Sequence, residues 1–211
     1  MVETGGSGEL FVVSAPSGTG KTTLCRRVCA EIPRLVYSVS YTTRAPRHGE
    51  EPGRDYFFVS ESAFAEMQRR GEFLEWAKVY QHLYGTSRRW VEEQLAGGLD
   101  VIMDVDIQGA CQIRKAAFPC HLVFLLPPSW EALRERLRGR GTDPQEAVEL
   151  RLRSAGEELR GWEKFDYVIV NEELDKAVQF LRSIVLARRS AKERMALWIK
   201  ENWWRWDAGG P

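Results

Sequence analysis

An apolar run, Leu10 to Val13, passes directly into the stretch SAPSGTGKTT (Ser14 to Thr23) and then into the helix-forming segment LCRRVCAEI, Leu24 to Ile32. A short continuous apolar run that ends in a glycine-rich turn and reopens as a helix fits a buried strand of a parallel sheet leading into a helix N-terminus. Gly18 and Gly20 let consecutive backbone N–H groups converge on one point, Lys21 brings a cation to it, and Thr22 a hydroxyl. Those groups match the oxygens of a triphosphate and its magnesium ion, and the positive end of the following helix faces the same anion. An ordinary glycine-rich turn would leave the preceding strand and the Lys-Thr pair unexplained. The expected triphosphate contacts are Ala15, Pro16, Ser17, Gly18, Thr19, Gly20, Lys21, Thr22 and Thr23. Ala15 departs from the full pattern, which has glycine there; its methyl group is tolerated at negative φ and strained at positive φ.

The same strand-then-helix rhythm continues along the chain. Apolar runs at 9–13, 100–106, 121–126 and 167–170 are each followed by a helical pattern, near 21–31, 108–117, 129–138 and 174–189. This predicts an α/β core, a parallel sheet of the P-loop NTPase type flanked by helices. Between residues 35 and 86 the rhythm changes to short aromatic or β-branched runs, too close together for βαβ crossovers. They predict a small mixed, largely antiparallel insert with one helix at about 61–70. A second interruption at 138–155 is Arg-rich, punctuated by glycine and then helical, as a lid over a phosphate site would be. The expected organisation is a core at 9–34 and 87–189 containing that lid, the insert at 35–86, and a Trp-rich extension at 190–211.

Composition narrows the partners. Lys plus Arg equals Asp plus Glu at 30 each, which gives no whole-chain case for holding long nucleic acid, so any polyanion bound is expected to be small. No apolar run approaches bilayer length and the first ten residues have no secretory pattern, so a cytoplasmic protein with no membrane span is expected. Cys25, Cys29, Cys111 and Cys120 form no CxxC pair and predict no zinc site; Cys25 and Cys29 read as packing residues of the first helix.

A phosphate loop leaves the acceptor open. The guanine-reading NKxD segment of GTPases is missing, and VNEELDK (170–176) has the wrong order and spacing. In SVSYTTRAPRHGEEPGRDYFFV (38–59), Arg44, Arg47 and Tyr56 could clamp a phosphomonoester between two guanidinium forks and a phenol, or the arginines could be solvated surface charge. Asp104 and Asp106 lie on one face at the end of a buried strand, where carboxylates enter the ligand crevice of an α/β sheet or serve as strand-end caps.

The segment TTRAPRHGEEPGRDYFFV closely resembles the guanylate kinase signature, met at Thr42, Thr43, Arg44, Arg47, Glu50, Gly53, Tyr56 and Phe58. The likeness runs on through EFLEWAKV, YGTS, DVDIQG, RLRGRGTD and VIVNEELDKA, roughly residues 9 to 189. The resemblance implies magnesium-dependent transfer of the γ-phosphoryl group of ATP to GMP, giving ADP and GDP. It implies a GMP phosphate clamp of Arg44, Arg47, Tyr56 and Tyr84, and a guanine site of Ser40, Glu75, Thr86 and Asp106. Asp104 resembles the carboxylate that orients magnesium through water, alongside Thr22. Lys21, Arg44 and the lid residues Arg136, Arg140 and Arg151 are the implied catalytic cations, with Arg136, Arg140 and Asn171 also on the ATP side.

Taken without the resemblance, Glu75 beside Trp76 reads more often as an exposed alternating strand residue, and the resemblance reverses that. Chemistry supports the implied role: guanine presents N1–H and its 2-amino group side by side, which a carboxylate accepts with both oxygens, whereas adenine offers an acceptor at N1. With phosphate as nucleophile no dedicated base is needed, and His48, His82 and His121 have no expected role. The competing function is a catalytically inactive guanylate-kinase-like scaffold domain that binds phosphopeptides; it would have no use for Lys21, Thr22, Asp104 or the lid arginines. The tail, with Trp198, Trp203, Trp204 and Trp206, is expected to continue the last helix and pack on the domain or on a second copy, leaving homo-oligomerisation open.

Overall fold

The computed structural model describes residues 6–139 and 145–202. Arg140 and the tail residues Trp203, Trp204 and Trp206 lie outside the described residues. The elements run β1 (Leu10–Ser14), α1 (Lys21–Glu31), β2 (Leu35–Tyr37), β3 (Tyr41–Thr42), β4 (Phe57–Phe58), α2 (Glu61–Arg69), β5 (Phe73–Val79), β6 (His82–Ser87) and α3 (Arg88–Ala96). Then follow β7 (Asp100–Val105), α4 (Ile107–Lys115), β8 (His121–Leu126), α5 (Trp130–Arg138), α6 (Gln145–Leu159), a 3-10 turn (Arg160–Lys164), β9 (Tyr167–Val170), α7 (Leu174–Arg189) and α8 (Lys192–Asn202).

The core sheet has the order β2-β7-β1-β8-β9 with every pairing parallel. All five residues of β1 are buried, because alternate side chains feed two separate cores. Phe11 and Val13 pack with Leu24, Val28, Val178 and Leu181 beneath α1 and α7, while Leu10 and Val12 pack with Val91, Met103 and Ile113 beneath α3 and α4. Complete burial of such side chains contributes roughly 1.5–3 kcal/mol each, which explains why the strand reads as an unbroken apolar run. Cys25 is buried in the first cluster and Cys29 packs against it, as expected for small apolar groups.

The second sheet has the order β4-β3-β6-β5; β3 and β4 run parallel, and the β3–β6 and β5–β6 pairings are antiparallel. The run VYSVSYTT is divided between the two sheets. Val36 and Tyr37 belong to β2, which pairs with β7 in the core, whereas Tyr41 and Thr42 pair with the insert. The divide falls there because Leu35 is buried in the α1-side core and pulls β2 with it. Helix α3, which follows β6 immediately, is capped by the Ser87 side chain accepting from the Trp90 N–H.

The strand N-termini carry a dense ionic cluster. Asp100, fully buried, accepts from the Glu9 N–H (2.9 Å) and from Arg189 Nε (2.7 Å), and pairs with Arg194 Nη1 at 2.7 Å. Glu9 pairs with Arg188 at 3.0 Å and with His121 at 3.0 Å. Burial alone would raise the Glu9 carboxyl, but the hydrogen bonds and charges of His121 and Arg188 outweigh it and bring it down to about 2. Arg194 belongs to α8, so the extension is helical through Asn202 and tied into the core, while Leu197 and Ile199 remain exposed. No described helix is long and apolar enough to cross a membrane.

Candidate active site

The phosphate loop joins β1 to α1. Gly18 and Gly20 adopt φ of 90° and 95°, a conformation that L side chains rarely take. Ala15 is not among the positive-φ residues and its methyl group is buried in the core, so the departure from glycine costs the loop no strain. Helix α1 has no side-chain cap, which leaves its first N–H groups directed at the loop's concave side. Thr19 turns inward and donates to the Pro16 carbonyl at 2.9 Å, while Pro16 is buried, Ser17 half-buried and Thr23 exposed. Lys21 folds back and donates through Nζ to the Ala15 carbonyl. Its crowded surroundings push the ammonium below its ordinary value, with Asp104, Glu158 and Asp106 acting in the opposite direction.

Thr22, on α1, meets Asp104, on β7: the threonine hydroxyl donates to Asp104 Oδ2 at 2.7 Å. The other carboxylate oxygen, Oδ1, accepts from the Tyr37 hydroxyl. Asp106, two residues on, is the N-cap of α4, its Oδ1 accepting from the Gly109 N–H at 2.8 Å. Burial raises the Asp106 carboxyl, against the opposing pull of that N–H and of Lys21. Asp106 is thus the cap of a helix rather than of a strand end.

Asn171 follows β9 and is buried; its Nδ2 donates to the Thr19 carbonyl at 2.7 Å, while Arg136 Nη2 donates to the Asn171 carbonyl at 2.9 Å. A chain of contacts therefore links α5 to the phosphate loop. Asn171 Oδ1 is buried with no hydrogen-bond partner in the structure. Arg151, on α6, lies with its guanidinium carbon 5.4 Å from the centre of the Tyr80 ring at the tip of the β5–β6 hairpin. This contact bridges α6 and the β5–β6 hairpin.

On the acceptor side Arg44 is held by Glu50, whose two oxygens accept from a single nitrogen, Nη2, at 2.8 and 3.0 Å. Glu50 Oε2 also accepts from the Arg47 N–H at 2.7 Å. Partial burial raises the Glu50 carboxyl, but these donors prevail and hold it below the usual range. The Arg44 guanidinium lies 5.3 Å from the Tyr56 ring, and Tyr56 meets Tyr84 edge-on with ring centres 5.9 Å apart. Burial, then the Asp104 charge, moves the Tyr56 phenol up to about 12, so it stays a neutral donor. Arg47 is exposed at the mouth of the same cluster, and Ser40 is half-buried in the turn between β2 and β3. Arg44, Tyr56 and Tyr84 thus converge, with Arg47 at their rim.

Glu75 reverses the usual strand arrangement: the carboxylate is 5% exposed while its neighbour Trp76 is 36% exposed. A register shift between Phe73 and Glu75 re-aims the side chain, as β-bulges do. Thr86, its cross-strand partner, donates through Oγ1 to Glu75 Oε1 at 2.7 Å. Burial raises the carboxyl to about 7, with the Asp106 charge adding to the rise and the Thr86 hydrogen bonds resisting it. The hydrogen of the Thr86 hydroxyl is thereby committed to Glu75.

Sequence reasoning missed Tyr37, whose link to Asp104 spans 67 residues and has no local signature. Glu50 was part of the recognised signature, but its role as the strut under Arg44 is visible only in three dimensions. Arg26 was also missed: it donates to the Arg54 carbonyl, pairs with Asp55 at 2.9 Å and lies 5.4 Å from the centre of the Tyr37 ring, tying α1 to the insert.

Comparison with known proteins agrees with this geometry. The guanylate kinase family model matches residues 7–188. A guanylate kinase of Geobacter sulfurreducens is 47% identical over 188 residues, covering 89% of this chain and 93% of that protein. One from Nitrosomonas europaea is 50% identical over 180 residues, covering 85% and 90% respectively. The crystal structure of guanylate kinase from Anaplasma phagocytophilum superposes with a TM-score of 0.74 at 33% identity, over 90% of each chain. With a family match across most of its length and relatives about half identical over most of both chains, the chain belongs to the guanylate kinase family.

Proposed function

We propose that this protein transfers the γ-phosphoryl group of ATP to GMP, giving ADP and GDP, and that it does so in the cytoplasm with magnesium. One observation supports the acceptor above others: a buried carboxylate, Glu75, is turned inward on a strand whose aromatic neighbour is turned out. Such an arrangement is costly unless a ligand supplies donors, and guanine offers two side by side. In this reading Glu75 accepts from N1–H and the 2-amino group, Asp106 Oδ2 lies towards the same amino group, and Ser40 is the hydroxyl left for O6. Thr86 holds Glu75 in place. Arg44, Arg47, Tyr56 and Tyr84 clamp the monoester.

On the donor side residues 15–23 wrap the phosphates, and Lys21 leaves the Ala15 carbonyl for the β and γ oxygens. Arg136, Arg151 and Arg140 supply lid cations, and Asn171 edges the nucleotide. The oxygen pair of Thr22 and Asp104 suits magnesium, which takes one or two protein oxygens and completes its shell with water and phosphate. Bound there, magnesium would neutralise charge on the transferring group. Transfer itself needs little from side chains but alignment and cations; the GMP phosphate oxygen attacks directly, without a side-chain base. The core, the insert and the lid divide the labour as donor site, acceptor site and cover.

The test is ADP formation from ATP with GMP, AMP, UMP and IMP as acceptors. GMP should be preferred strongly, and Lys21→Ala should abolish turnover while leaving GMP binding intact. Turnover by neither form would favour a phosphate-binding module without catalysis, and preference for another acceptor would refute the guanine assignment.

A further inference from the structure

Strand β5 forms the edge of the insert sheet, and an open edge must be paired or covered. Helix α4 of the core covers it. Gln112 Nε2 donates to the Trp76 carbonyl at 2.7 Å, and the Trp76 N–H donates to Gln112 Oε1 at 3.2 Å. One side-chain amide therefore reproduces the two-bond pairing of a neighbouring strand, at the residue next to Glu75.

One turn earlier on the same helix, Gly109 faces the Glu75 carboxyl. A Cβ at position 109 would lie 2.4 Å from Glu75 Oε2, 3.1 Å from Cδ and 3.3 Å from Val105 Cβ. The carboxyl has little room to yield, since Thr86 holds Oε1 and Gln112 pins the strand. The Gly109 N–H is also the donor that fixes Asp106 Oδ1. A single backbone position thus abuts one of the two carboxylates of the acceptor pocket and orients the other.

We propose that Gly109 and Gln112 are positioning residues that determine nucleobase specificity: their seam sets the spacing of the Glu75 and Asp106 carboxylates, and hence the fit to guanine. The inference rests on the reading that Glu75 accepts from the guanine edge. A side chain at 109 displaces Oε2 and tilts the carboxylate out of the plane of the base. The penalty falls hardest on a purine with two adjacent donors and less on IMP, which lacks the 2-amino group.

The experiment measures GMP and IMP affinity by calorimetry, together with KM for ATP and thermal melting, on the wild type and on Gly109→Ala, Gln112→Ala and Glu75→Gln. Gly109→Ala should weaken GMP binding by about tenfold or more and lower the GMP-to-IMP preference, since such polar pairing dominates discrimination. The KM for ATP should stay within about twofold, because both residues belong to α4 and not to the donor loop. Gln112→Ala introduces no clash and should shift the preference in the same direction by a smaller factor, so it carries the test if Gly109→Ala fails to fold. Wild-type preference in the folded variants, with Glu75→Gln losing it, overturns the inference and leaves the guanine reading intact. Wild-type preference in Glu75→Gln overturns that reading itself, and this inference with it.

Discussion

The hydroxyl of Thr86 is spent on Glu75 Oε1 at 2.7 Å, while the other oxygen, Oε2, lies against Gly109 of α4. Burial raises this carboxyl from its ordinary 4.5 to about 7, where it titrates in the working range. As a free group it therefore makes the apoprotein less stable as pH rises from 4.5 towards 7, because the folded state binds the extra proton. GMP binding has the opposite sign, since only the ionised form accepts from both guanine donors. Calorimetric GMP affinity should rise with pH through about 7 and level off above, falling up to about tenfold per unit on the acid side. In Glu75→Gln only the monoester's own titration near pH 6 should remain. An unchanged profile would remove Glu75 from the pocket.

Glu50 grips Arg44 through Nη2 only, while Nη1 of the same guanidinium donates to the Ala45 carbonyl at 2.8 Å. It also accepts from the Arg47 N–H, so one carboxylate braces the side chain of one arginine and the backbone of the other. Hydrogen bonds to charged groups are worth about 1.5–3 kcal/mol, and Glu50→Gln retains the shape while losing the charge. The KM for GMP should rise about tenfold while guanosine, which has no phosphate, binds as before. A parallel loss of guanosine binding would show that the substitution had disturbed the whole insert.

Tyr37 gives Asp104 a second partner, so the carboxylate is held from both sides, by Thr22 on α1 and by the phenol on β2. Tyr37→Phe keeps the ring beneath Arg26 and removes only the donor. The magnesium concentration needed for half-maximal ATP binding should rise several-fold, on the scale of one charge-assisted hydrogen bond. ATP binding without magnesium and GMP binding should not move. An unaltered magnesium titration would reduce Tyr37 to a packing residue.

The elements of the core were legible because their strands are continuous apolar runs, buried throughout in β1 and nearly so in β7 and β8, and a helix follows each at once. β8 and β9 start and end where the apolar runs do, and β1 and β7 lie within one residue of them. The insert was legible as a change of rhythm, yet β2 was not, because three residues carry no period and Leu35 is claimed by a core 65 residues away in β7. At the site, residue identities came from motifs, whereas the direction of a hydroxyl did not. Thr86 faces Glu75 because of a cross-strand register and a bulge, and Gly109 matters because a helix passes a strand within van der Waals distance. Contacts of that kind join distant positions and leave no pattern along the chain.

The ionic cluster under the sheet shows how the extension is attached. Arg194 lies beyond the family match, and its guanidinium is 8% exposed against a completely buried Asp100. Removing one partner of a buried pair typically costs about 3–5 kcal/mol, but Arg189 remains on Asp100 and limits the damage. Arg194→Ala should therefore lower stability by about 1–3 kcal/mol, a fall of several degrees in melting temperature for a chain of this size. Turnover at 25 °C should be unchanged, because Asp100 opens β7 while Asp104 sits four residues on, near its other end, and four residues of strand span about 13 Å. Paired melting and activity measurements check this: loss of activity without loss of stability would mean that α8 communicates with the site, and no change in either would mean that the ion pair does not anchor the extension.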